Sequence, residues 1–195
     1  MVSVGPLTIV GNKASFLVDT DKPHVVNMLR RAILTEVETY CIEYVTIYRN
    51  TSALYDEVLA FLFGQLVIDN ERYPHGDNFT FHFDSKRGGE RLDITTDDLV
   101  ELPFLYKTPI TILPAGGHIV ADLTVRKGTG RMHCKWRPVS TCMISEEENK
   151  YRITFHTIGM LSADSIVRQA LANLPRAYEY PPQTIFSRPV TGDNL

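Results

Sequence analysis

The sequence predicts an α+β protein with a helix near each end of the chain and a strand-rich module between the helices. Apolar residues recur at helical spacing in residues 25–37 and again in residues 163–174. Residues 79–125 instead contain short extended runs that are separated by glycine and proline. This order of elements indicates a mixed fold of helices and strands.

The N-terminal elements are a hairpin and then a helix. The Gly-Asn pair at residues 11–12 separates two extended runs and supplies the positive φ of a tight turn. Thr20 or Asp21 is the expected helix cap, and Pro23 suits the first helical turn. The apolar stripe of this helix consists of Val25, Val26, Leu29, Ala32, Ile33 and Val37.

The middle elements are an extended run, a second helix and several strands. Residues 42–48 are rich in β-branched and aromatic side chains, and helical character returns in 56–68, although Gly64 lies inside that helix. The alternating phenylalanines of residues 79–83 are typical of a half-buried strand. Further strands are expected at 110–113 and 119–125, and turns at 86–89 and 114–117.

The last elements are a strand at residues 151–155 and a helix at residues 163–174. Ser162 can cap this helix, and Pro175 ends it. Its broad apolar face consists of Ile166, Val167, Ala170, Leu171 and Leu174. The tail from Tyr178 contains several prolines and is expected to be irregular.

Composition argues against several classes of protein. The 195 residues are 44% hydrophobic and 22% charged, as in ordinary globular proteins, and the net charge of -3 gives no chain-wide attraction to nucleic acid. The start of the chain does not resemble a signal peptide, and the apolar run 58–63 is too short to cross a bilayer. The three cysteines fit reduced thiols in an intracellular protein.

No constellation of residues indicates catalysis. The six histidines are scattered, and His133-Cys134 with Cys142 would lack a fourth zinc ligand. Gly128-Thr129-Gly130 has only half of a phosphate loop, so a turn between strands is the preferred interpretation. We therefore expect no catalytic residue and no metal site.

Two binding functions remain open. The densest basic run, with Trp136 inside it, could track phosphates and stack a base; it consists of Arg126, Lys127, Arg131, Lys135 and Arg137. Alternatively, the apolar faces of the two terminal helices exceed what one small sheet needs, which favours a partner that covers them. On spacing alone, the two helices could equally well cover each other.

Four motifs, in the same order, resemble one family, the α-like assembly subunits of multisubunit RNA polymerases. Residues 27–37, NMLRRAILTEV, are similar to its N-x-L-R-R-x-x-L-S/T-E-V helix, and residues 45–57 resemble the segment that follows in the archaeal and eukaryotic versions. Residues 126–140 resemble its K-G-x-G … H-A-K-W-x-P-V-S loop, with Cys134 where alanine is usual. Residues 151–174 resemble its last strand and helix, with His156 where an acid is common.

The resemblance implies a discontinuous dimerisation domain, a small antiparallel sheet plus two helices, with an inserted strand-rich domain. The implied bounds are residues 1–39 and 151–195 for the dimerisation domain and 40–150 for the insert. The resemblance implies a non-catalytic subunit that pairs with a smaller α-like subunit. The pair then nucleates binding of the large catalytic subunits. The chain would contact DNA only indirectly, through the complex. The rival interpretation is a free-standing nucleic-acid-binding module that uses the basic loop at 126–137.

The resemblance also implies roles for individual residues. The implied dimer interface consists of Val25, Val26, Leu29, Ala32, Ile33, Ile166, Val167, Ala170 and Leu174. The implied contacts to a large subunit are Asn27, Arg30, Arg31, Lys135, Trp136 and Arg137. Many relatives contain a cysteine-rich insertion, but residues 69–96 contain no cysteine, so we expect no cofactor. The expected location is intracellular, cytoplasmic for an archaeal or cytoplasmic viral source and nuclear for a eukaryotic one.

Overall fold

The structure, a computed structural model, describes residues 3–73, 75–85, 89–148 and 150–174. The described part is an α+β protein with three α-helices and antiparallel sheets, which confirms the predicted class. The irregular tail, the helix stop at Pro175 and most of the turn at 86–89 lie outside the described residues.

The described elements follow one another in a fixed order. In chain order they are β1 (Ser3–Val4), β2 (Thr8–Val10), β3 (Lys13–Asp19), α1 (Pro23–Thr35), β4 (Glu38–Asn50), α2 (Asp56–Gly64), β5 (Phe79–Asp84), β6 (Leu92–Thr95), β7 (Pro109–Leu113), β8 (Ile119–Thr129), β9 (Val139–Glu147), β10 (Lys150–Thr157) and α3 (Ala163–Ala172). Two short 3-10 helices lie at Thr96–Asp98 and Cys134–Trp136.

The first sheet, called the end sheet, has the order β1-β3-β10-β9, and β2 also pairs with β3. Gly11 adopts a positive φ of 57° in the β2–β3 turn, so the predicted hairpin is confirmed. In β3 the side chains of Ala14, Phe16 and Val18 are buried, because alternate residues of a strand face the same side. Phe16 lies opposite Ile153 of β10, and both belong to the core of this sheet.

Helices α1 and α3 both pack on the end sheet. Helix α1 begins at Pro23, as expected, but its N-cap residue is Lys22 rather than Thr20 or Asp21. The Thr20 hydroxyl instead accepts a hydrogen bond from the Lys22 backbone N–H at 3.1 Å. Helix α3 begins after Ser162, whose side chain accepts a hydrogen bond from the Ser165 backbone N–H, so this predicted cap is confirmed.

The middle of the chain forms a second core around a three-stranded sheet of order β4-β8-β5 and a separate β6–β7 hairpin. Strands β7 and β8 are consecutive in sequence but lie in different sheets, because the Pro-Gly segment between them redirects the chain. Helix α2 packs on β4 and β7 and ends at Gly64, earlier than the predicted end at residue 68.

Strand β9 forms the edge of the end sheet beside β10. Its residues hydrogen bond to β10 along the whole strand, from Lys150 opposite Glu147 to Thr157 opposite Val139. Residues 139–147 therefore belong to the end sheet. The sequence did not predict β9, because an edge strand with serine, threonine and glutamate lacks the alternation of a half-buried strand.

Candidate protein-interaction site

The apolar stripes of α1 and α3 face the protein's own sheet. Seven of the nine residues predicted for a dimer interface are buried within the chain. These are Val26, Leu29, Ala32, Ile33, Ile166, Val167 and Ala170, and all of them join the core of the end sheet. In the isolated chain these seven side chains therefore present little surface to a partner, and their role in a dimer interface stays a prediction. Only Val25 and Leu174 of the nine remain half-buried.

A smaller apolar surface remains on the outer sides of the same helices. On α3, Leu171 is 38% exposed and Leu174, just past the helix end, is half-buried. On α1, Val25 and Met28 are half-buried on adjoining positions of the helix. These four side chains are apolar, lie on or next to the two helices, and remain accessible to a partner beside the core; Leu34 on α1 is half-buried as well. Sequence periodicity located both helices correctly, and the stripe it identified is the face that packs on the protein's own sheet.

The polar residues predicted to contact a large subunit lie partly on the surface of α1. The Arg30 guanidinium donates to the Asn27 side-chain oxygen at 3.1 Å from Nε and at 3.0 Å from an Nη atom. This pairing joins two of the predicted residues and holds the Arg30 fork in a fixed position. Arg31, on the next position, is half-buried.

Trp136, another predicted contact residue, is buried instead of being presented to a partner. Only 2% of it is exposed, and it lies in a small cluster with Cys41 and Met160. Its indole N–H donates to the Arg126 backbone oxygen at 3.3 Å, and its backbone oxygen accepts from the Thr39 hydroxyl at 2.8 Å. The ring therefore ties the 131–138 loop to β4 and β8.

Two glycines make room for this loop. A Cβ at Gly128 would lie 2.4 Å from a ring carbon of Trp136, and a Cβ at Gly130 would lie 2.2 Å from the Leu34 backbone oxygen. Residues 128 and 129 continue β8 and are not the predicted turn. The glycines are thus explained by close approach of a side chain and of backbone, which a scan for phosphate loops cannot detect.

Four of the five side chains of the basic run meet an acid or an aromatic ring inside the chain, and the fifth, Arg137, is exposed. Lys127 pairs with Glu38 at 2.8 Å, Arg131 pairs with the buried Glu36, and Lys135 pairs with Glu43. Arg126 lies over the Tyr44 ring, with 5.7 Å between the guanidinium carbon and the ring centroid. Because these cations already meet acids or a ring and Trp136 is buried, the loop does not form a phosphate groove with a stacking aromatic.

Burial makes two of the three cysteines poor nucleophiles. Desolvation raises the pKa of the Cys41 thiol to about 12, although the nearby Lys135 ammonium opposes this shift. Desolvation also raises the pKa of Cys142 to about 12, against the weaker influence of Arg30. Both groups are therefore neutral thiols near pH 7, and Cys134 is exposed. In the described ranges no group of three or more His, Cys, Asp or Glu side chains is placed to hold a metal ion.

Two helices cover the end sheet and leave a limited apolar margin that another protein could bind. Residues 15–177 match the profile of the RNA polymerase Rpb3/Rpb11 dimerisation domain, and the chain belongs to that family. Among the helices of the described part, none is both long enough and apolar enough to span a membrane.

Individual relatives are similar over most of this chain. It is 30% identical over 151 residues to the DNA-directed RNA polymerase subunit Rpo3 of Archaeoglobus fulgidus, which covers 67% of this chain and 56% of that protein. It is 29% identical over 157 residues to subunit Rpo3 of Methanocaldococcus jannaschii, which covers 78% of this chain and 80% of that protein. It is also 28% identical over 174 residues to a conjugation stage-specific protein of Tetrahymena thermophila, 56% of which is covered.

Proposed function

We propose that this chain is a non-catalytic assembly subunit of a multisubunit DNA-directed RNA polymerase. The observation that supports this most strongly is the family match over residues 15–177, which includes most of the end sheet and the whole of α1 and α3. In this proposal the chain pairs with a smaller α-like subunit, and the pair binds the large catalytic subunits. Because a polymerase acts on DNA inside the cell, the proposed location is intracellular.

The proposed division of the chain follows the strand pairing. The dimerisation domain comprises residues up to 39 together with those from 139 onward, and residues 40–138 form the insert. The two hydrophobic cores support this division, because the first is built on the end sheet and the second on the β4-β8-β5 sheet. Trp136, Cys41 and Met160 lie at the junction between them.

The proposed dimer surface is the outer apolar margin of α1 and α3. This surface comprises Val25, Met28, Leu171 and Leu174. The buried apolar residues on the inner side of the same helices belong to the core of the end sheet and support it. A partner that covered this margin would remove exposed leucine from water at about 25 cal/mol per Å² of apolar surface. A second copy of this chain and a separate smaller subunit would both satisfy this geometry.

Leu171→Asp is expected to abolish dimer formation while the chain stays folded. The side chain is 38% exposed, so a carboxylate there keeps its water in the isolated chain and loses it only in the interface. Size-exclusion chromatography with the small subunit of the native polymerase measures the effect. Val100→Asp is the matched control, because Val100 is equally apolar and lies in the insert. Undiminished co-elution of Leu171→Asp would contradict the proposed surface.

Replacing Arg30 and Arg31 together by glutamate is expected to leave the dimer intact and to block recruitment of a large subunit. Arginine pairs with carboxylates through two parallel hydrogen bonds, and glutamate reverses that attraction. The measurement is affinity purification of the polymerase through this chain, with its subunits counted on a gel. Lys13→Glu together with Arg49→Glu, both at exposed positions away from α1, provides a charge-matched control. Normal recovery of both large subunits would refute this role of the two arginines.

A further inference from the structure

Helix α2 has apolar residues around its whole circumference, although only one side of it is packed. Leu59 and Phe63 are fully buried in the core of the insert. The segment 54–65 contains no lysine or arginine, and its polar residues are Asp56, Glu57 and Gln65. A surface helix normally has a charged outer face, whereas a helix that is apolar all round is normally buried.

The unpacked side of α2 presents a continuous apolar surface. Tyr55 is 81% exposed, Val58 42% and Phe61 62%, and Leu62 is half-buried. At about 100° per residue, positions 55, 58, 61 and 62 fall on one side of the helix. We call these four residues the α2 patch. Soluble proteins rarely leave a large contiguous apolar surface open to water, so the α2 patch requires an occupant.

The charges at the edge of the α2 patch define the chemistry of that occupant. Glu57 lies in the first turn of α2 beside Phe61 and is exposed, whereas Asp56, also exposed, lies on the far side of the helix from the patch. Asp56 accepts a hydrogen bond from Asn50 at 2.8 Å, whereas Glu57 lies one turn before Phe61. An anionic membrane surface would be repelled by Glu57, and a second copy docked through its own α2 patch would bring no lysine or arginine to it, because residues 54–65 contain none.

We propose that the α2 patch binds a segment of another protein in which apolar side chains are flanked by lysine or arginine. The apolar side chains would cover Phe61 and Val58, and a cation would pair with Glu57. This contact is separate from the dimer surface, because α2 packs on β4 and β7 of the insert and not on α1 or α3. This proposal rests on the proposed function, because it assigns to the assembly subunit a third contact with a partner, besides the dimer surface and the contact to a large subunit.

A photo-cross-linking amino acid at position 61 of the full chain, inside cells that contain the native assembly, tests this proposal. After irradiation and purification through this chain, mass spectrometry is expected to find a cross-link from position 61 to one segment of another protein, with both apolar and basic residues in it. The same cross-linker at position 100, which is also exposed and apolar, is the matched control and is expected not to reach that segment. Glu57→Lys is expected to lower the yield at position 61 by about fivefold.

Several outcomes would overturn the proposal. One is a cross-link from position 61 to residues 175–195 of the same chain, to a second copy, to lipid or to an acidic segment. Another is a cross-linking yield at position 61 that is no higher than the yield at position 100. The same purification reports on the proposed function independently, because the large subunits are either present or absent. Their presence without the expected cross-link refutes the α2 contact alone, and their absence refutes the assembly role whatever position 61 reaches.

Discussion

Replacing Trp136 by alanine is expected to lower the free energy of unfolding by about 3–5 kcal/mol, the usual cost of removing a large buried aromatic side chain. Trp136 fills the junction between the two cores, where it contacts Cys41 and Met160, and its indole N–H is bonded to the Arg126 oxygen. Truncation leaves a cavity and removes the hydrogen bond to the Arg126 oxygen. Chemical denaturation of the isolated chain, followed by circular dichroism, measures the change.

The glycine beside this ring provides a second variant with the same physical cause. In Gly128→Ala the new Cβ would lie 2.4 Å from a carbon of the Trp136 ring, so the ring or the strand must move. We expect overpacking to cost about 1–3 kcal/mol. Gly76→Ala is the matched control, since no atom lies within 4 Å of its Cβ position.

The result distinguishes a structural Trp136 from one that contacts a large subunit. A structural tryptophan lowers stability in the isolated chain, before any partner is added. Trp136→Ala could instead have the same denaturant midpoint of unfolding as the wild type and fail only to recruit a large subunit. That result would refute the buried position of Trp136. The sequence-based assignment of Trp136 as a contact residue would then be correct.

The order and type of most elements could be predicted because local periodicity determines them. Helix α1 with Pro23 at its start, helix α3 with Ser162 as its cap, and the β2–β3 turn at Gly11 all depend on residues close in sequence. What covers a helix face is not a local property. The stripe that contains Leu29 has the same period whether a partner or the chain's own sheet lies against it.

Other features escaped prediction because distant residues create them. The requirement for glycine at position 128 arises only when the 131–138 loop folds back and places Trp136 on β8. The basic run appeared free in the sequence, since the partners of Lys127 and Lys135, Glu38 and Glu43, are about 90 residues away along the chain. The family resemblance identified the right class of protein but not which of its motif residues are buried in this chain.

Leu29→Asp is expected to unfold the isolated chain. Leu29 lies in the core of the end sheet, and a carboxylate at that position would be buried without a partner charge. Leu29→Ala removes only apolar contacts and is expected to cost about 2–5 kcal/mol. Since whole domains are stable by about 5–15 kcal/mol, the additional cost of burying the carboxylate exceeds what the fold can tolerate. Circular dichroism and limited proteolysis of the chain without any partner measure the outcome.

The comparison of Leu29→Asp with Leu171→Asp separates folding from association. Both variants place the same charge on helices of the end sheet, but Leu29 is 2% exposed and Leu171 is 38% exposed. A failed dimer in Leu29→Asp therefore reports an unfolded subunit, whereas a failed dimer in Leu171→Asp reports a lost interface. If Leu29→Asp instead remained folded and lost only its partner, the inner stripe would itself be the dimer surface. The core of the end sheet would then have to open when the partner binds.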